Sequence, residues 1–97
     1  MPTSVLLQIV TNATGSYGAF AEGGGKITVT GNVTGNTYGV SADSGGEITI
    51  EGTITAGFQY IELGSTNKTA EDYVTPTTKA GYRTYTDGTS TVWVKIP

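Results

Sequence analysis

Two carboxylates, Glu22 and Asp43, stand twenty-one residues apart, each after an alanine and just before a glycine-rich turn. Brought side by side they could hold Ca²⁺, which takes six to eight oxygen ligands. Left to water they make a solvated acidic corner. The nine-residue glycine repeats that bind Ca²⁺ in secreted toxins do not match here, so Glu22 and Asp43 are weak metal candidates and no others exist. Lys26 and Glu47 share the same separation and read as a surface ion pair worth about 0–1 kcal/mol. Aromatic residues form the second set. Tyr17 and Tyr38 recur at the same interval, with Tyr60 displaced by one position. Exposed, such rings can stack on sugars; packed on each other, they contribute about 0.5–1.5 kcal/mol per pair. Phe20, whose counterpart is Ser41, is expected to point outward as a contact residue. The candidate ligand-binding residues are Phe20, Tyr38, Tyr82, Tyr85 and Trp93.

Other chemistry is missing from the chain. It has neither cysteine nor histidine, so it lacks thiolate metal ligands, disulfides and the usual general base. Its many serines and threonines have no evident activating partner. An enzyme is not expected, and neither is a cofactor. The net charge is −3 and the five basic residues are scattered, which argues against a nucleic-acid partner. No run of about 20 apolar residues could span a membrane. Asn12-Ala13-Thr14, Asn32-Val33-Thr34 and Asn67-Lys68-Thr69 fit the glycosylation triplet, but such triplets arise by coincidence in a threonine-rich chain. Ice binding needs a flat, repeated threonine face; Thr28-x-Thr30 becomes Thr49-x-Glu51, which breaks it.

The elements that must carry these residues follow from internal repetition. Tyr17–Thr37 aligns without a gap on Tyr38–Phe58. Tyr-Gly falls on Tyr-Gly, Ala21 on Ala42, Gly24-Gly25 on Gly45-Gly46, Ile27-Thr28 on Ile48-Thr49, Gly31 on Gly52 and Thr34 on Thr55. Within each copy, apolar and polar residues alternate with period two, the mark of a strand with one buried face. Each copy reads as three short strands, Tyr17–Ala21, Lys26–Thr30 and Asn32–Thr34, with glycines at the corners. Stacked copies would form inward ladders: Ala19, Val40 and Ile61; Ala21, Ala42 and Leu63; Ile27 with Ile48; Val29 with Ile50; Val33 with Ile54. One copy cannot bury its own apolar face, so stacking is required. An antiparallel sandwich or meander of the same strands is the competing fold.

Two copies fall short of a stable array, so the flanks must contribute. Ser4–Thr14 reads as a degraded copy with a length slip before Tyr17. Tyr60–Gly64 starts a last coil. Thr69–Asp72 could cap one helical turn. Tyr82–Thr86 and Thr91–Ile96 form a hairpin across Asp87-Gly88, with Val92, Val94 and Ile96 on one face and Trp93 and Lys95 on the other. The expected fold is all-β: a short parallel β-helix of about 21 residues per coil over residues 1–64, closed by a capping segment with a β-hairpin over 65–97.

Units of the form Tyr-Gly-x-x-Ala…Gly-Gly-x-Ile-Thr at 17–34 and 38–55 resemble the repeats of large bacterial cell-surface, adhesin-like proteins with right-handed parallel β-helix stalks. The resemblance covers roughly residues 17–64. It implies a right-handed coil and a display or stalk role on the surface of a Gram-positive-type or gut bacterium, as part of a longer exported protein, and it transfers no binding residue. Pectin-degrading enzymes share that β-helix, but this chain lacks their length and clustered carboxylates. The functional expectation is a structural or interaction module that self-associates through an open N-terminal coil edge. The alternative is a module that binds carbohydrate or a host surface through its exposed aromatics.

Overall fold

The computed structural model describes residues 8–10 and 13–96. All regular structure there is strand: β1 (Gln8–Val10), β2 (Ala13–Glu22), β3 (Lys26–Val29), β4 (Val33–Asp43), β5 (Glu47–Ile50), β6 (Ile54–Ala56), β7 (Gln59–Leu63), β8 (Thr66–Lys68), β9 (Tyr82–Thr86) and β10 (Thr91–Lys95). The protein is all-β, as its β-branched residues and glycine turns require. Two mixed sheets form. One has the order β1-β3-β5-β10-β9; the other has the order β2-β4-β7-β8, with β6 also on β4.

Chain-equivalent residues lie side by side in parallel pairs. Ile27 is opposite Ile48 and Val29 opposite Ile50 across β3 and β5. Ala19 is opposite Val40 across β2 and β4, and Val40 opposite Ile61 across β4 and β7. The spacing shortens toward the N-terminus. Gln8 faces Ile27, nineteen residues on, and Ala13 faces Val33, twenty on. An irregularity between Gly15 and Tyr17 restores twenty-one at Tyr17–Tyr38. This is where the sequence slips. The rest of Ser4–Thr14, residues 4–7 and 11–12, lies outside the described residues.

Alternation then decides what is buried. Val29, Ile48, Ile50, Val92 and Val94 from one sheet join Ala19, Ala21, Val40, Ala42, Ile61 and Leu63 from the other in a single core. Each large aliphatic group buried there contributes about 1.5–3 kcal/mol. The buried hydroxyls are all bonded: Ser41 Oγ donates to Glu62 Oε1 at 3.0 Å, Thr84 Oγ1 accepts from the Thr78 amide at 3.0 Å, and Ser90 Oγ accepts from the Gly45 amide at 3.1 Å. At matched corners Gly24 and Gly45 take φ of +80° and +86°, which only glycine adopts cheaply. There the Gly25 and Gly46 amides donate to the Glu22 and Asp43 carbonyls, each at 3.0 Å.

Several expectations need correcting. The third short strand of one copy and the first of the next do not meet at a corner. They run together as β4, Val33–Asp43, because Gly35 has no side chain to strike the Tyr38 carbonyl and the strand bends without breaking. Only in the last copy does a bend at Gly57–Phe58 separate β6 from β7. Thr69–Asp72 is not helical. It is a tight turn after β8, in which the Asp72 amide donates to the Thr69 carbonyl at 3.1 Å and the Asp72 carboxylate accepts from the Thr69 amide at 2.8 Å. Local bonding by Asp competes with helix formation in just this way. Ile96 does not join Val92 and Val94 in the core; it is 47% exposed, because β10 ends at Lys95.

Candidate functional site

The two ends of the sheets differ. At one end β1 and β2 are edge strands, with no ladder partner on their outer sides among the described residues. Such an edge is a template for strand addition. At the other end each sheet turns antiparallel. β8 returns along β7, with Leu63 opposite Thr66, and β9 runs against β10, which itself lies parallel on β5. Short, covered edges resist further pairing. β8 has three residues, and β9 is overlaid by the Val74–Thr84 bridge and by Thr77, whose hydroxyl lies 2.7 Å from that of Thr84.

The terminal hairpin is fastened to the parallel strands at both of its ends. At the turn, the Thr91 amide donates to the Gly46 carbonyl at 3.1 Å. At the far end, Glu51 accepts from the Tyr82 hydroxyl and pairs with Lys95 at 3.7 Å. Within the turn, Asp87 Oδ1 accepts from the Thr89 and Ser90 amides at 2.9 and 2.8 Å. Those amides hold the Asp87 carboxyl below its usual range.

Phe20 and Tyr38 belong to an aromatic ridge across the β2–β4 face. Tyr17 lies 5.6 Å from Phe20 and 5.1 Å from Tyr38 between centroids, and Tyr38 lies 6.2 Å from Phe58. The two tyrosines stack at 30°, so they turn their faces to each other. The outer rings, Phe20 and Phe58, are 45% and 69% exposed. Tyr60 is not in this row and packs edge-on to Tyr85 at 5.9 Å. The bend at Gly57–Phe58 causes the exchange: it sets the Phe58 amide on the Thr37 carbonyl at 3.0 Å and Gln59 opposite Tyr38. Phe58 gave no signal in the sequence, since its counterpart one copy earlier is Thr37.

The hairpin aromatics separate. Tyr85 is fully buried and donates to the Ala70 carbonyl at 2.7 Å, so as a surface contact residue it is corrected to a core residue. It shares the face of Val92, and burial pushes its hydroxyl well up. Tyr82 and Trp93 lie on the outer face. The Lys79 ammonium sits 5.3 and 5.4 Å from their ring centroids, and Trp93 Nε1 donates to Thr78 Oγ1 at 3.0 Å. Hydrogen bonding to Glu51 raises the Tyr82 hydroxyl.

Glu22 stands opposite Asp43, both exposed. No group of three or more metal-ligating side chains occurs among the described residues. Lys26 and Glu47 meet at 2.8 Å, and their exposure limits the pair to about 0–1 kcal/mol. No helix among the described residues is long and apolar enough to cross a membrane. Against known proteins, the chain matches no family model, no curated sequence and no solved structure.

Proposed function

We propose that the protein is a non-catalytic structural and interaction module, the capped C-terminal end of a longer β-solenoid of about 21 residues per coil, displayed on a bacterial surface. One observation carries this reading. Equivalent residues pair in parallel at twenty-one-residue spacing up to β5 and β7, after which both sheets end in antiparallel strands. Parallel stacking can continue indefinitely from an edge strand; an antiparallel return stops it. The open side, β1 and β2, is where preceding coils or a second copy would add. Sugar stacking on the ridge is less favoured, since Tyr17 and Tyr38 cover each other's faces.

Sedimentation equilibrium over a dilution series tests the edge. The apparent mass should rise with concentration, and Phe20→Lys, a charge on the exposed side of β2, should hold the chain monomeric. A wild-type chain that stays strictly monomeric at the highest concentrations rejects the open edge.

A further inference from the structure

Arg83 occupies a position that the strand pattern reserves for the core. It stands opposite Val94, while Tyr85, two residues on, stands opposite Val92. Tyr85, Val92 and Val94 are 0%, 0% and 7% exposed, so period two turns the Arg83 side chain toward the interior face of the sheet. Its guanidinium carbon lies 4.9 Å from the Tyr73 ring centroid. Its charge bears on the Tyr60 and Tyr85 hydroxyls, opposing the burial that raises both.

Arg83 lines two cavities that share it and Ile96, of about 570 and about 320 Å³. The larger falls within the ordinary range for small-molecule sites, about 300–1,000 Å³. Ile54, Tyr60, Val94 and Ile96 give it apolar walls, and its ionised groups are Glu51, Lys95 and Arg83. Glu51 is already engaged by Lys95 and Tyr82. The ion pairs among the described residues are Lys26–Glu47 and Lys95–Glu51, so no described carboxylate pairs with Arg83, whose guanidinium lies over the Tyr73 ring and beside the Tyr85 hydroxyl at the wall of an apolar cleft. Drawing a charge out of water is unfavourable unless a partner offsets it. The planar guanidinium fork is matched by a carboxylate, which it can grip with two parallel hydrogen bonds.

We infer that this cleft binds a small carboxylate-bearing ligand, its carboxylate on Arg83 and its body against Ile54, Tyr60 and Ile96. The inference does not depend on the stacking edge, which lies at the opposite end of both sheets. A sugar acid and a free peptide carboxylate share the required chemistry, and the test separates them.

Amide ¹H–¹⁵N spectra of the chain are followed during titration with sodium glucuronate, with N-acetylalanine and with neutral methyl glucoside. At least one carboxylate should give saturable shifts at Thr53, Arg83 and Ile96, with Kd on the order of 1 mM, while the glucoside gives none. The tighter of the two carboxylates names the source. Arg83→Gln should weaken binding by about 10- to 100-fold, the range for a lost charged hydrogen bond. Ile96→Asp, at an exposed position on the rim, should also weaken it by setting a tethered carboxylate near Arg83, and so covers the case in which Arg83→Gln fails to fold. The inference is overturned if the glucoside binds as well as the acids, if neither acid saturates, or if a folded Arg83→Gln chain binds as tightly as wild type.

Discussion

Replacing Gly39 with alanine tests the parallel packing of adjacent strands at a single atom. Gly39 lies in β4 between Tyr38 and Val40, whose partners in β7 are Gln59 and Ile61. A Cβ built on Gly39 would lie 2.6 Å from the Tyr60 carbonyl oxygen and would also strike the Ile54 Cγ2 methyl. The methyl can swing aside. The carbonyl belongs to the neighbouring strand and moves only if β4 and β7 separate. Overpacking of this kind costs about 1–3 kcal/mol. Alanine restricts the unfolded chain and returns about 0.4–1 kcal/mol where the native conformation suits it. The balance is a net destabilisation centred on about 1.3 kcal/mol (range about 0–2.6), or about 5–10 °C in Tm at the centre for a domain of this size. Thermal unfolding followed by circular dichroism reads the sign directly. In open space the same substitution would stabilise, so a Tm equal to or above wild type means that Gly39 and Tyr60 are not in contact and the parallel register is wrong.

Two further outcomes follow from the hairpin and its supports. Tyr85→Phe removes the donor to the half-buried Ala70 carbonyl and should cost about 0.5–1.5 kcal/mol in denaturant unfolding; an unchanged midpoint would show that the hydroxyl is idle. Asp87 has its carboxyl lowered by backbone amides, so its contribution is present above the ordinary carboxylate range and is lost as pH falls through its folded value. Asp87→Asn keeps the side-chain oxygen without the charge, so its Tm should fall less than that of wild type between pH 5 and about pH 2. Parallel pH curves for the two chains would refute that role for Asp87.

The parts of the fold that repeat were legible because repetition and period two act together. Ala19, Val40 and Ile61 are buried neighbours, and the hairpin announced itself through Asp87-Gly88. What escaped depends on single residues that break the pattern. Gly35 lets a strand bend and continue where a corner was expected. Gly57 puts Phe58 in the row meant for Tyr60. The Thr69–Asp72 turn after β8 is closed by the Asp72 carboxylate, which accepts from the Thr69 amide and hydroxyl, an arrangement that the sequence reads equally well as a helix cap. At the candidate sites, exposure could be read for Phe20 but not for Tyr85. A tyrosine at an alternating position is compatible with either face, and only the pairing of β9 with β10 decides between them. Arg83 went unnoticed for the same reason: charge alone suggests the surface, while its parity with Tyr85 places it inward.

The contrast between the two ends of the sheets also sets a symmetry. Growth into a filament needs two complementary surfaces, one donated and one received at every junction. Here one end presents β1 and β2, while the other has been folded back into β8 and the β9–β10 hairpin. Copies of this chain joined edge to edge can therefore meet only head to head, about a twofold axis, using the same strands on both sides. Such an assembly closes at two members, so the rising mass expected on concentration should level off at the dimer.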